Sequence, residues 1–280
     1  GYRNKTQGRL SIRANSLAEY LAGIRGAVTT EEPRYAAIGI VVDDEYRQLN
    51  ANILQIENEY YSTIRPKPSK ASKARPLVAL AEDGVDYVEV RTLDLSSADP
   101  VGMNQSELRF IEALLIYCLL AESPPLSAAE QAEIDARDLT VAREGRRPGL
   151  KLVDAGRERT VRERGLELTA GIREVAALLD ADAEGYVAAV DAADEALRDP
   201  ERTPSAALLA ALRSERASFF EYTLALARAH AAYFRDFGLS TAREQALVEA
   251  ARRSIHDAEA LEAQNSRPFA DYLRDYFAAT

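Results

Sequence analysis

The side chains best suited to chemistry fall in two short runs. In Asn52-Ile-Leu-Gln-Ile-Glu-Asn-Glu-Tyr-Tyr61, polar and apolar residues alternate. On an extended strand, successive side chains point to opposite faces. Gln55, Glu57, Glu59 and Tyr61 would then share one face, with Leu54, Ile56 and Tyr60 on the other. Tyr87-Val-Glu-Val-Arg91 repeats the theme, with Tyr87, Glu89 and Arg91 pointing one way and Val88 and Val90 the other. A carboxylate and a guanidinium two positions apart on a strand stand roughly 6–7 Å apart. That spacing suits a divalent cation held beside a phosphate, with Glu89 as a hard oxygen ligand and Arg91 stabilising charge on phosphoryl oxygens. The same alternation describes a solvated outer face with Glu and Arg paired across strands. The pattern alone leaves both readings open.

Between the two runs lies a basic, proline-rich stretch over 65–76: Arg65, Pro66, Lys67, Pro68, Lys70, Lys73, Arg75 and Pro76. Prolines at this density suit neither a helix interior nor a central strand, so a loop is expected. It reads either as a solvated linker or as a cover for nucleotide phosphates. The chain contains no P-loop, dinucleotide fingerprint or nucleophile elbow.

Composition narrows the chemistry. The 280 residues are enough to bury a sizeable core, and 47% hydrophobic with 29% charged is an ordinary globular balance. Net charge is -10, with the excess acid after residue 100, which argues against a nucleic-acid partner. A single Cys excludes an intrachain disulfide, and two His exclude a multi-His metal site, so any metal leans on carboxylates and is Mg²⁺ or Mn²⁺. No apolar run is long enough to cross a membrane. The chain begins Gly-Tyr-Arg rather than Met, without a signal peptide, so a cytoplasmic fragment or processed piece is expected.

The elements that must position these groups come in two kinds. Up to residue 104 the pattern is mixed: a helix over 15–28, with Leu17, Tyr20, Leu21 and Ile24 as its apolar stripe, then strands over 35–42, 50–64 and 86–95. From 105 to 280 it is nearly all helix: 106–122, with Leu108, Ile111, Leu114, Leu115, Cys118 and Leu119 on its apolar face, a helix opened by the Ser127-Ala-Ala-Glu130 capping box, then 166–179, 186–197, 205–237 as one helix or two, and 241–262. Cys118 is expected in the core. His230 is expected in helix packing or at the surface, His256 at the surface, and Asp94 at a sheet rim.

At the first two runs the sequence resembles a known family. Glu57-Asn-Glu-Tyr-Tyr-Ser-Thr-Ile-Arg-Pro-Lys67 followed by Tyr87-Val-Glu-Val-Arg-Thr-Leu-Asp94 resembles glutamate–cysteine ligase (gamma-glutamylcysteine synthetase) of the proteobacterial type. Gly1-Tyr-Arg-Asn-Lys-Thr-Gln7, Glu144-Gly-Arg-Arg-Pro-Gly-Leu150 and Arg267-Pro-Phe269 fit the same family. The resemblance runs along the whole chain but reaches only the C-terminal part of that enzyme. It implies an α+β fold, with part of a curved, mainly antiparallel glutamine synthetase-like sheet followed by a large helical region. It implies ATP-dependent joining of the L-glutamate side-chain carboxylate to L-cysteine through a gamma-glutamyl phosphate, the first step of glutathione biosynthesis. ATP and Mg²⁺ would be required, and the missing N-terminal half would be a partner. By position, Glu89 is then a metal ligand, Arg91 contacts the transferred phosphate, Tyr2 and Tyr61 line the cysteine pocket, and Arg65 and Lys67 lie near the nucleotide. Two alternatives stand beside it: a non-catalytic structural or binding fragment of that fold, or a gamma-glutamyl ligase for another amine.

Overall fold

A computed structural model describes residue 10 and residues 12–69, 74–181 and 184–278. The chain divides into two compact units, Gly1–Asp94 with Leu239–Thr280, and Leu95–Gly238. Tyr2, Lys70 and Lys73 lie outside the described residues.

The first unit opens with helix α1 (Leu17–Thr29), capped by the Ser16 hydroxyl, which accepts from the Glu19 amide. Its Tyr20, Ile24, Ala27 and Val28 pack with Leu54, Leu77 and Leu80 into a small core, and Leu17 and Leu21 support it from the sides. A single-turn helix α2 (Pro33–Ala36) and the two-residue strands β1 (Val41–Val42) and β2 (Glu45–Tyr46) stand where a strand over 35–42 is expected. Asp43 and Asp44 both take positive φ, the backbone of a tight two-residue hairpin turn, so the acidic pair turns the chain.

The expected strand over 50–64 does not form. Local side-chain bonds to backbone take its place: Asn50 accepts from the Asn52 amide, Gln55 from the Leu49 amide, and Glu59 from the Gln55 amide. A 3₁₀ turn follows at Glu57–Glu59. Strand β3 begins later, at Ile64–Lys67, and pairs antiparallel with β4 (Tyr87–Val90). The basic stretch is therefore not one loop. Arg65, Pro66 and Lys67 lie in a strand, and Arg75 and Pro76 open helix α3 (Pro76–Asp83), with Pro76 in the first helical turn and Gly84 ending it. Pro66 is tolerated because the ribbon, among the described residues, has only two strands, and a proline fits an edge strand. The long α10 (Thr241–Gln264) and α11 (Phe269–Ala278) belong to the same unit.

The second unit is built on α4 (Gln105–Leu120), α6 (Val161–Leu179) and α7 (Tyr186–Arg198), packed around Ala113, Ile172, Val175, Ala176 and Val190. The core side of α4 is Phe110, Ala113, Leu114 and Tyr117, while Leu108, Cys118 and Leu119 are exposed, which corrects the apolar face expected for this helix and the core position of Cys118. Helix α5 (Ala128–Glu144) starts at the Ser127–Glu130 capping box. A hairpin that alternation did not reveal, β5 (Lys151–Asp154) with β6 (Arg157–Thr160), turns at Ala155 and Gly156, both at positive φ. The 205–237 segment is two helices, α8 (Pro204–Glu215) and α9 (Phe219–Asp236), broken at Arg216 in the left-handed region and restarted by a Ser218–Glu221 capping box. His230 is half-buried on α9, and His256 is exposed on α10.

The fold class is α+β. Its strands, among the described residues, form three two-stranded antiparallel ribbons. No described helix is long and apolar enough to cross a membrane.

Candidate active-site ribbon

The β3–β4 ribbon brings together most of the described candidate residues. Directly paired residues on antiparallel strands share a face. Arg65 pairs with Glu89 and Lys67 with Tyr87, so these four side chains lie together, and Ile64, Pro66, Val88 and Val90 make the opposite face. The Arg91 amide donates to the Thr63 carbonyl at 2.9 Å and carries the ladder one step further. The usual polarity of a lone ribbon is inverted here. Apolar Ile64 and Val88 are 47% and 49% exposed, whereas Arg65 on the charged face is 7% exposed. Arg65 faces a cavity walled by Ile24 of α1 and by Leu77 and Leu80 of α3, while Tyr87, Glu89 and Arg91 on the same face stay about a third exposed.

Glu89 is the centre of this face. Its Oε2 lies 3.2 Å from Arg91 Nη1 and 3.6 Å from Lys67 Nζ. Partial burial opposes ionisation, but the charges of Lys67, Arg91 and Arg65 together outweigh it and hold the carboxyl below the ordinary glutamate range. The Arg91 guanidinium also stands 5.8 Å from the centre of the Tyr61 ring, a cation–π approach. Tyr61 lies just ahead of β3 and is half exposed. Glu89, Arg91, Lys67 and Tyr61 thus form one cluster.

Glu57 and Glu59 do not join this cluster, although Glu57 lines the cavity beside it. Glu59 is turned to the Gln55 amide, and Glu57 is buried in an ion pair with Arg75 at 2.8 Å. The common face expected for 55, 57, 59 and 61 is not formed. Asp94 is exposed beyond the end of β4.

Beside the cluster opens a cavity of about 210 Å³, with Ile24, Leu77 and Leu80 as its apolar wall and Arg65, Lys67 and Tyr87 among its polar lining. Arg65 projects Nη2 to the carbonyls of Asn58, at 3.3 Å, and Tyr60. Its Nε has no hydrogen-bond partner, and among the described residues no carboxylate lies within ion-pair distance of it. A buried guanidinium without a counter-ion is costly and is relieved by an anion. Burial pushes the phenol of Tyr20, another lining residue, up in pKa, against the pull of the Arg65 charge. Sequence patterning missed the buried Arg65, because a proline-rich basic stretch reads as solvent-facing.

One carboxylate among three cations makes this patch net positive, so it repels a bare divalent cation and attracts an anion. Among the described residues no group of three or more His, Cys, Asp or Glu side chains is placed to hold a metal. Mg²⁺ that arrives with phosphates fits nonetheless, since that ion commonly takes only one or two carboxylates beside water and phosphate oxygens. Glu89 is the ligand the ribbon offers.

These features describe an α+β protein with a cationic ribbon and an adjoining cavity. The family model for glutamate–cysteine ligase matches residues 1–141. The chain is 42% identical over 280 residues to the glutamate–cysteine ligase of Shewanella oneidensis and 43% identical over 281 residues to that of Azotobacter vinelandii, covering 100% of itself but only 54% and 53% of those proteins. Among solved structures it is similar to glutamate–cysteine ligase from Francisella tularensis in complex with AMP, with a TM-score of 0.91 and 30% identity, over 99% of this chain and 55% of that one. A bifunctional glutathione synthetase from Pasteurella multocida shares the fold over 80% of the chain, with a TM-score of 0.53 and 17% identity. The chain belongs to the glutamate–cysteine ligase family. It spans about half the length of the curated relatives it matches.

Proposed function

We propose that the chain forms part of an enzyme that joins the side-chain carboxylate of L-glutamate to the amine of L-cysteine at the expense of ATP. The glutamate carboxylate attacks the terminal phosphorus of ATP and ADP leaves, giving gamma-glutamyl phosphate. The cysteine amine then attacks the acyl carbon and phosphate leaves, giving gamma-glutamylcysteine. The observation that carries this reading is the Lys67–Glu89–Arg91 cluster beside a cavity bordered by the buried Arg65.

Such chemistry needs charge stabilisation more than a protein nucleophile. Arg91 neutralises the oxygens of the phosphoryl group in flight, and Glu89 holds its guanidinium in place. Lys67 and Arg65 bind the remaining phosphates, the second from inside the cavity wall. Mg²⁺, when bound, neutralises phosphate charge, with Glu89 as its protein ligand from this ribbon. Tyr61 borders the cysteine pocket, and Tyr2 is placed there by family resemblance alone. The AMP bound by the Francisella relative supports a nucleotide as the ligand. L-Glutamate binds residues supplied by the half of the relatives' length that this chain does not span.

The competing reading is an anion-binding module without catalysis. The absence of a metal cluster among the described residues favours it. Phosphate release from Mg²⁺–ATP separates the two, measured with the chain alone and with the N-terminal half of a relative added. Release that requires glutamate and cysteine together supports the ligase. ATP binding without release in either mixture supports the module. Release with another amine and not with cysteine would reassign the acceptor.

A further inference from the structure

The short turn at 57–60 holds both ends of the basic stretch. At one end, Arg65 donates to the carbonyls of Asn58 and Tyr60. At the other, the Glu57 carboxylate meets Arg75 Nη2 at 2.8 Å, with both side chains more than nine-tenths buried. At 2.8 Å the carboxylate and the guanidinium form a buried ion pair, whose stability rests on good geometry and further hydrogen bonds.

Helix α11 supplies them. The Arg75 guanidinium stacks over the Tyr276 ring, 4.2 Å from its centre, and its Nη1 donates to the Tyr276 carbonyl at 2.7 Å. That carbonyl lies toward the C-terminal end of α11, the end of a helix that carries partial negative charge. The Tyr276 hydroxyl donates to Glu57 Oε2 at 3.5 Å. Burial, and then the Glu57 charge, push this phenol up in pKa, so it stays protonated as a donor. A residue 201 positions downstream thus closes the arginine that ends the basic stretch.

We propose that Arg75 and Tyr276 are positioning residues for the phosphate-binding cations, and that α11 is the clamp that fixes them. This rests on the function proposed above. With the ring in place, Arg75 fixes Glu57. Glu57 fixes its turn, and the turn's carbonyls aim Arg65. Arg75 also starts α3, whose Pro76, Leu77 and Leu80 wall the cavity shared with Arg65 and Lys67. Neither Arg75 nor Tyr276 lines that cavity, so both act through other residues.

The test uses the full chain with Tyr276→Ala and Tyr276→Phe, reading ATP affinity by calorimetry and amide hydrogen exchange by mass spectrometry. Loss of the cation–π contact predicts about tenfold weaker ATP binding for Tyr276→Ala and a change within about twofold for Tyr276→Phe, which keeps the ring. Exchange at Asp86 and Arg91, whose amides close the ribbon onto Lys67 and Thr63, speeds up in Tyr276→Ala only, while α6 and α7 keep wild-type protection. Wild-type exchange and affinity in Tyr276→Ala would overturn the proposal. So would equal damage from both variants, or faster exchange throughout the chain. A wild-type chain with no ATP affinity would sink the functional reading, while an exchange pattern that follows the Tyr276 ring would still uphold the clamp.

Discussion

Arg65 and Glu89 stand directly opposite each other on the β3–β4 ribbon, yet they do not form an ion pair. Arg65 turns inward to the carbonyls of Asn58 and Tyr60, and Glu89 is left to Lys67 and Arg91. Among the described residues the face therefore carries one carboxylate shared by two cations and a third cation with no carboxylate within ion-pair distance, an arrangement that favours an anion.

Glu89→Gln removes the only negative charge of the cluster. ATP without metal should bind several-fold more tightly to the variant, because like-charge repulsion disappears. Adding Mg²⁺ should improve binding to the wild type and do little for the variant, because the metal loses its protein ligand. Calorimetric titration of both proteins with and without Mg²⁺ checks this, and an identical Mg²⁺ effect in the two would remove Glu89 from the metal site.

The same cluster fixes a pH dependence. The folded pKa of Glu89 lies below its unfolded value, so its contribution to stability is fully present above the ordinary glutamate range and is lost as pH falls through the lowered folded value. Replacing Lys67 with Met removes the charge that lowers the Glu89 carboxyl most and should raise its titration midpoint toward the ordinary range. Side-chain NMR titration reads both midpoints. A midpoint unmoved by Lys67→Met would show that the cation is screened from the carboxylate.

Packing of the second unit makes a separate claim. Ile172 is 2% exposed between α4 and α7 on the face of α6, and Gly171 beside it leaves room for the Tyr117 ring. Ile172→Ala should destabilise this unit by about 2–5 kcal/mol through lost burial and a residual cavity. Gly171→Ala should also destabilise it, because the added Cβ would sit 2.5 Å from that ring. Chemical denaturation followed by far-ultraviolet circular dichroism measures both, and a Gly171→Ala protein as stable as the wild type would mean that α4 and α6 approach less closely than described.

Helix starts were the most legible features, because a capping box is local chemistry: Ser127 and Glu130 exchange bonds through their own backbones whatever else packs nearby. The Ser218–Glu221 box and the Pro76 to Gly84 frame are signals of the same local kind, which the reading by hydrophobic periodicity passed over. The 50–64 segment misleads for the opposite reason. Its alternation imitates a strand, but Asn50, Gln55 and Glu59 satisfy backbone groups within the segment and remove them from any ladder. Of the site, Glu89 and Arg91 were visible as neighbours on one face. The burial of Arg65 and the Glu57–Arg75–Tyr276 contact depend on tertiary packing over long sequence separations, which spacing cannot encode.

Arg65 gives the sharpest separation of stability from function. Burying a guanidinium without a carboxylate costs several kcal/mol, while its bonds to the two carbonyls return about 1.5–3 kcal/mol each. The two sides nearly cancel, so Arg65→Met, which keeps the length and the apolar contacts, should leave the melting temperature within a few degrees of the wild type. If the cation is retained for the ligand, ATP affinity should fall at least tenfold in the same variant. Thermal melts and calorimetry on one preparation test both halves together. A large drop in melting temperature with affinity unchanged would make Arg65 a structural residue and remove the cavity from the nucleotide site.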